Sequence, residues 1–193
     1  MKSLNNLPDS LLIDQYMNGN SLAFTTLVLR YKDKLYTSIF LLVNDKFLAE
    51  DIFQEVFIRV INAINNKRYN EEGMFLAWAI RIAHNLCMDH LRKVTRSPQI
   101  KSSDDLDIME ISDAIMPGAD YKMINDQRTK RIIQMIGMLP EDQQEIIILR
   151  HYTDLSFKEI ARVMNISINT ALGRMRYALK NLRKFIDEKE RVL

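Results

Sequence analysis

The chain has 193 residues, with five glycines, four prolines and a single cysteine, and its formal net charge is +2. One cysteine excludes an internal disulfide framework, and the few glycines and prolines argue against a turn-rich all-β fold. No apolar run reaches the roughly 18 residues of a membrane span, and Asp9 and Asp14 interrupt the N-terminus where a signal peptide would be apolar. These features predict an all-α, cytoplasmic protein without membrane insertion.

Amphipathic patterns fill the first half of the chain, where apolar residues recur at helical spacing. Asp9 or Ser10 is expected to cap the first helix, and Asn44-Asp45 to separate the second helix from the third. On the fourth helix, Trp78 falls on the apolar stripe, which favours a core position over a surface role. The predicted helices cover, in order, about 9–18, 21 to the forties, 46–64 and 74–96.

An acidic segment without helical periodicity follows these helices. Residues 97–125 contain two basic and six acidic side chains, whereas residues 126–193 contain thirteen basic and nine acidic ones. Prolines, a glycine and serines stand among the carboxylates, and such a segment is too polar to bury itself. We therefore predict two small helical domains, at 1–96 and 121–193, joined by a flexible acidic linker at 97–120.

The second domain contains the pattern of a helix-turn-helix at residues 155–176. Ser156 and Glu159 have the spacing of a capping box, which satisfies free backbone N–H groups at a helix start. Asn165 tolerates the left-handed conformation that often ends a helix, and Ser167 can cap the next helix. Since a helix-turn-helix places its second helix in the major groove, this pattern indicates DNA binding.

The second helix of this motif is amphipathic, with an apolar stripe and a polar, basic face. A helix N-terminus favours phosphate, and amide, hydroxyl and guanidinium groups can read base edges. The candidate DNA-binding residues of this helix are Ser167, Asn169, Thr170, Gly173, Arg174, Arg176, Tyr177 and Lys180.

Three runs of the chain resemble a known family. The run Leu-Pro-Glu-Asp-Gln-Gln-Glu-Ile-Ile-Ile-Leu-Arg-His-Tyr at 139–152, with the helix-turn-helix after it, resembles region four of bacterial sigma-70 family sigma factors. The run at 49–60, Ala-Glu-Asp-Ile-Phe-Gln-Glu-Val-Phe-Ile-Arg-Val, resembles their region two segment that binds core RNA polymerase, and 75–93 resembles their promoter-reading helix. The length and the bare linker are similar to the extracytoplasmic-function (ECF) class.

The resemblance implies that the protein binds core RNA polymerase, directs it to promoter DNA, and reads the −10 and −35 elements. Region two would occupy 1–96 and region four 121–193, and an anti-sigma factor is a further partner that the class allows. The implied polymerase-binding residues are Asp51, Gln54, Glu55, Ile58, Arg59 and Asn62. The implied −10 residues are Lys67, Arg68, Tyr69, Asn70, Arg81, His84, Asn85, Arg92 and Lys93.

Two other classes of function are compatible with parts of this sequence. A stand-alone regulator with the same helix-turn-helix is the alternative, and the run at 49–60 argues against it. A metal site or enzyme would need convergent ligands, but His84 and His90 are six residues apart and point about 240° away from each other on a helix. We therefore expect no enzymatic activity, no metal and no cofactor.

Overall fold

The computed structural model describes residues 4–70, 74–96 and 127–190, and the side chains of 94–96, 127–130 and 188–190 are outside the description. The predicted linker at 97–120 and the predicted start of the second domain at 121 lie outside the described residues. A short 3₁₀ turn at Leu4–Asn6 precedes the helices. The helices are α1 Asp9–Met17, α2 Ser21–Val43, α3 Lys46–Asn65, α4 Phe75–Arg96, α5 Gln127–Gly137, α6 Glu141–Tyr152, α7 Phe157–Val163 and α8 Ile168–Glu190.

The predicted all-α fold is confirmed: every regular element in 4–70, 74–96 and 127–190 is helical. The break between α2 and α3 lies where the sequence indicated. Asn44 has φ +50, in the left-handed region, and its N–H bonds to the Phe40 carbonyl to end α2. Asp45 then caps α3, since its carboxylate accepts a hydrogen bond of 3.0 Å from the Leu48 N–H.

Asp9 does not cap α1, which corrects the prediction from the sequence. Pro8 occupies the N-cap position, and Asp9 is the first residue of the helix. Its carboxylate instead accepts hydrogen bonds from the Arg30 guanidinium at 2.5 Å and from the Tyr31 hydroxyl at 2.7 Å. Burial and this bond to Asp9 raise the pKa of Tyr31 to about 12. Asp9 therefore ties α1 to α2, because a tertiary partner offers a charged bond that the local backbone does not.

Helix α2 is the central element of the first half, and α1, α3 and α4 pack around it. Its buried side chains include Leu27, Leu35 and Ile39, at spacings that keep them on the inner side. Trp78 of α4 is 9% exposed, so its predicted core position is confirmed. Within 4–70, 74–96 and 127–190, no helix has both the length and the hydropathy that a membrane crossing requires.

The two halves of the chain pack against each other. α6 lies against α2 of the first half and α8 of the second, while α4 lies against α7. Four consecutive residues of α6, Ile146 to Leu149, are buried, and buried residues of both halves form one continuous cluster. Consecutive residues point to different sides of a helix, so both halves are needed to cover them. The buried residues of the two halves thus form a shared core, and the predicted domain boundaries at 96 and 121 stay predictions.

Truncating Leu149 tests this core. Leu149 is fully buried, so Leu149→Ala is expected to lower the free energy of unfolding by about 2–5 kcal/mol, from lost burial and a residual cavity. Leu179→Ala is the matched control, because Leu179 on α8 is 47% exposed, and its loss should stay below about 1 kcal/mol. Urea unfolding followed by circular dichroism measures both. Equal losses would contradict this assignment of the core.

Candidate nucleic-acid interface

The helix-turn-helix is formed by α7, α8 and the turn between them. The Ser156 N–H donates to the Glu159 carboxylate at 2.7 Å, and the Glu159 N–H donates to the Ser156 hydroxyl at 3.3 Å, so the predicted capping box is present. Asn165 has φ +53 in the turn, as its residue type indicated. The Thr170 N–H donates to the Ser167 hydroxyl at 3.0 Å, so Ser167 caps α8. Hydrogen bonds and backbone conformations within a few residues thus set both helix starts and the turn of the motif.

Helix α8 packs on α6 and α7 through small residues and presents a polar outer face. Ala171 and Ala178 are fully buried, which allows close approach of the helices. Side chains on the other side reach solvent, where a DNA groove could receive them. We define the outer face of α8 by its exposed residues Asn169, Leu172, Arg176, Tyr177 and Lys180.

Arg174 does not lie on this outer face, which corrects the sequence interpretation. It stands three residues after Ala171 and four before Ala178, so at 100° per residue it points toward α6. Its Nε lies 3.2 Å from a carboxylate oxygen of Asp142 at the start of α6, and its side chain is 29% exposed. Arg176 instead occupies the centre of the outer face and is exposed. A DNA-reading role for Arg174 stays a prediction. In the free protein its guanidinium is paired with the carboxylate of Asp142.

Ser167, Thr170 and Gly173 also lie at the beginning of this helix. The Ser167 and Thr170 hydroxyls are 2.8 Å apart, so both groups belong to the cap while their residues remain exposed. A Cβ added to Gly173 would meet no atom within 4 Å. The glycine is therefore not required by packing in the free protein.

The predicted −10 residues divide into two groups, of which one is at the surface. Lys67, with φ +54, follows the end of α3, and the loop continues through exposed Arg68 and Asn70. Tyr69 is less accessible because its ring meets the edge of Trp78, with centroids 4.7 Å apart. The exposed members of the whole set are Lys67, Arg68, Asn70, Asn85, Arg92 and Lys93.

The other group, Arg81 and His84, lies where α4 meets the second half of the chain. His84 is 7% exposed, and its Nε2 is 3.4 Å from a carboxylate oxygen of Glu145 on α6. Its Nδ1 is buried without a hydrogen-bond partner. Arg81 lines a narrow cleft with Glu159 and Arg162 of α7. In this arrangement His84 is not accessible to DNA, contrary to the expectation, because a helix of the other half covers it.

The predicted polymerase-binding residues form one polar face of α3. Asp51, Gln54, Arg59 and Asn62 are exposed, and Ile58 is a 53% exposed apolar side chain among them. Glu55 is half-buried and bonds to the Arg59 Nε at 2.7 Å, one turn along the helix. An exposed apolar residue with a polar rim has the composition of a protein-docking surface.

Sequence reasoning missed the polar residues that join the two halves: Lys34, Glu145 and Asp154. Lys34 Nζ and a carboxylate oxygen of Asp154 are 2.7 Å apart, although 120 residues separate them in the chain. No local pattern links such positions. The one available signal was the apolar run Ile146 to Leu149, which indicates a helix buried on more than one side.

No metal-binding geometry occurs in the described ranges. Across 4–70, 74–96 and 127–190, no group of three or more His, Cys, Asp or Glu side chains could hold a metal ion. Cys87 is fully buried on α4, and burial raises the pKa of its thiol to about 12. The thiol is therefore protonated and inaccessible near neutral pH.

Two family models match the chain, in the order that the resemblance implied. The sigma-70 region 2 model matches residues 27–97, and the sigma-70 region 4 model matches 129–182. RNA polymerase sigma-H factor of Pseudomonas aeruginosa is 30% identical over 171 residues, which cover 86% of this chain and 88% of that protein. ECF RNA polymerase sigma factor SigW of Bacillus subtilis is 30% identical over 180 residues, covering 89% and 93% respectively.

Two solved structures share the fold. One is CnrH in complex with the cytosolic domain of CnrY, with a TM-score of 0.66, 21% identity, and coverage of 94% of this chain and 99% of that one. The other is the sigma factor RpoE from Bartonella quintana in complex with the anti-sigma factor NepR, with a TM-score of 0.67, 21% identity, and coverage of 85% and 96%. At this identity the likeness concerns the fold.

Gly173→Ala tests whether the stability of the folded protein requires a glycine at this position of α8. Because the added Cβ meets open space and alanine is the better helix former, the free energy of unfolding should rise by about 1 kcal/mol. Gly19→Ala is the contrasting control: its φ of +93 strains an alanine and should destabilise the protein. Thermal and urea unfolding measure both variants. Destabilisation by Gly173→Ala would show a packing constraint on that position.

Proposed function

The chain belongs to the sigma-70 family of RNA polymerase sigma factors, in the ECF class. From this premise we propose which of its described surfaces bind the −35 element, the −10 element and core RNA polymerase. The protein binds core RNA polymerase and directs promoter-specific transcription. The observation that carries the finer proposal is the capped helix-turn-helix, whose second helix presents an unobstructed polar face. The stand-alone regulator is set aside because the first half also matches the family.

The outer face of α8 is proposed to read the −35 element. The N-terminus of α8, capped by Ser167, offers free N–H groups and the positive end of the helix dipole to a phosphate. Asn169 and Arg176 then reach base edges seven residues apart on one side of the helix. Lys180, one turn further on, is suited to a phosphate contact, which positions the helix without reading sequence.

The exposed loop after α3 and the outer side of α4 are proposed to bind the −10 element. Lys67, Arg68 and Asn70 supply charge and amide groups to a single strand, and Tyr69 supplies an aromatic ring close to Trp78. Asn85 and Arg92 are seven residues apart on α4 and share a side of it. Lys93 adds a charge beside Arg92, so this side suits a nucleic-acid backbone.

The polar face of α3 is proposed as the main contact with core RNA polymerase. Gln54 and Asp51 supply hydrogen-bonding groups, and Ile58 supplies an apolar anchor. In this proposal the polymerase performs the catalysis, and the protein acts in the cytoplasm as a specificity subunit without a cofactor. An anti-sigma factor is a further proposed partner, as in the Bartonella quintana complex that shares the fold.

The docking proposal is tested by Gln54→Lys/Glu55→Lys. The two lysines, which together raise the charge of this face by three, should lower affinity for core RNA polymerase by tenfold or more and reduce promoter-directed transcripts in proportion, while helicity and the unfolding midpoint stay near wild type. Pull-down of core enzyme and run-off transcription on genomic promoter fragments measure the two effects. Asp14→Lys on α1, which raises the charge by two at an exposed position outside this face, is the control for added surface charge. Normal core binding by the double variant would remove α3 from the interface.

The reading proposal is tested by comparing Arg176→Ala with Arg174→Ala. If Arg176 pairs with a guanine, its removal costs about 1–3 kcal/mol of discrimination and relaxes preference at one base of the −35 element. Arg174, bound to Asp142, should leave base preference intact. Binding of each variant, in complex with core polymerase, to a promoter library randomised at −35 measures both. Relaxed preference with Arg174→Ala alone would reverse the two assignments.

A further inference from the structure

The outer face of α8 contains one aliphatic side chain among its polar and aromatic ones. Leu172 is 42% exposed, and Asn169 and Arg176 are exposed residues one turn before and one turn after it. At about 100° per residue, Leu172 lies about 60° from Asn169 and about 40° from Arg176 around the helix axis. The side chain of Leu172 therefore points in nearly the same direction as the two residues that the proposed function assigns to base edges.

Leu172 also lies in the part of α8 that a DNA groove would receive. It is the fifth residue of α8, which begins at Ile168 and is capped by the Ser167 hydroxyl. In a helix-turn-helix, the N-terminal residues of the second helix contact base edges. Leu179 is 47% exposed on the same side of α8. Leu179 lies about 10 Å further along the axis, so the two leucines differ mainly in their distance from the N-terminus of α8.

An aliphatic side chain in the major groove favours one base over the others. Base pairs present hydrogen-bond donors and acceptors there, and thymine alone also presents a C5-methyl group. A leucine that faces a donor or an acceptor removes water from that group without replacing the hydrogen bond, which costs free energy. A leucine that faces the thymine methyl covers apolar surface instead, which is favourable. Thymine is therefore the base whose edge fits Leu172.

We propose that Leu172 recognises a thymine in the −35 element by contact with the C5-methyl group of the base. This inference rests on the proposed function and adds one base identity to it. The exposed side chains of Arg176, Lys180 and Arg183 place positive charge on the same side of α8. That charge attracts the DNA backbone of any sequence, whereas the methyl contact of Leu172 contributes to specificity.

The spacing of the residues on α8 also restricts where the thymine lies. Leu172 and Arg176 are four residues, or about 6 Å, apart along the helix axis. Neighbouring base pairs of B-DNA are about 3.4 Å apart. The thymine is therefore expected within two base pairs of the base that Arg176 contacts.

Ile168 is a second exposed aliphatic residue near the N-terminus of α8. It is 45% exposed and stands one turn before Leu172. Around the helix axis it lies about 80° from Arg176, which is twice the angle between Leu172 and Arg176. We therefore assign the methyl contact to Leu172, and Ile168→Ala is the neighbouring control.

Removal of single methyl groups from the DNA tests the proposal. Deoxyuridine keeps the base pairing of thymidine and lacks only the C5-methyl group, so each thymine of the preferred −35 element is changed singly to uracil. Competition against the unmodified promoter measures the affinity of holoenzyme formed from the full chain and core RNA polymerase. For the wild type, we expect one substitution, within two base pairs of the position that Arg176→Ala relaxes, to weaken binding about three- to fivefold, the effect of one buried methyl group.

The protein variants show whether Leu172 is the partner of that methyl group. Leu172→Ala should bind the unmodified promoter less tightly, and loss of the same methyl should then change its affinity by less than about 1.5-fold, because a double-mutant cycle isolates the contact. Leu179→Ala and Ile168→Ala should keep the wild-type sensitivity to uracil. Sensitivity that persists in Leu172→Ala, or that is lost in Ile168→Ala, overturns the inference.

Leu172→Arg gives a second measurement that does not depend on overall affinity. Because a guanidinium pairs with guanine O6 and N7, the preferred base at this position of a randomised −35 library should change from thymine to guanine by about fivefold or more. Leu179→Arg is the control for the added charge and should keep the thymine. Unchanged thymine preference with Leu172→Arg overturns the inference.

The wild-type measurements separate failure of this inference from failure of the proposed function. If wild-type holoenzyme shows no base preference anywhere in the −35 element, the proposed reading by α8 fails. If it shows a preference but no single uracil substitution weakens binding, only the assignment of Leu172 to a thymine methyl is overturned.

Discussion

The structure depends on the burial of one helix, α6, which has apolar residues on every side. Ile146, Ile147, Ile148 and Leu149 are all buried, and consecutive residues on a helix point in directions about 100° apart. One neighbouring helix covers one side, so at least two are required. α8 covers α6 from its own half and α2 from the other. A short apolar run thereby makes the two halves share one core.

The same packing decides which charged residues are available to partners. Arg174 is directed to Asp142, and His84 to Glu145, so two residues with the chemistry of DNA contacts are engaged within the chain. The positions of the exposed side chains of the helix-turn-helix depend on its helix caps. Ser156, Asn165 and Ser167 fix the turn between α7 and α8, and that turn sets which residues form the outer face. The proposed binding surfaces therefore depend both on tertiary packing and on local helix capping.

The proposed DNA-reading surfaces lie in different halves of the chain, and burial of apolar residues holds these halves together. The contact between the halves covers the apolar surface of α6, since that surface would otherwise face water.

Local sequence patterns were sufficient to predict the helices, the caps at Ser156 and Ser167 and the helix-turn-helix, because these depend on hydrogen bonds and side-chain spacing within a few residues. It also indicated the family, and it correctly assigned Trp78 to the core and most of the α3 face to solvent. The partners of Asp9, His84 and Arg174 depend on tertiary packing. Each is held by a carboxylate, arginine or tyrosine more than 20 residues away, a pairing that depends on how helices dock and that no local spacing records.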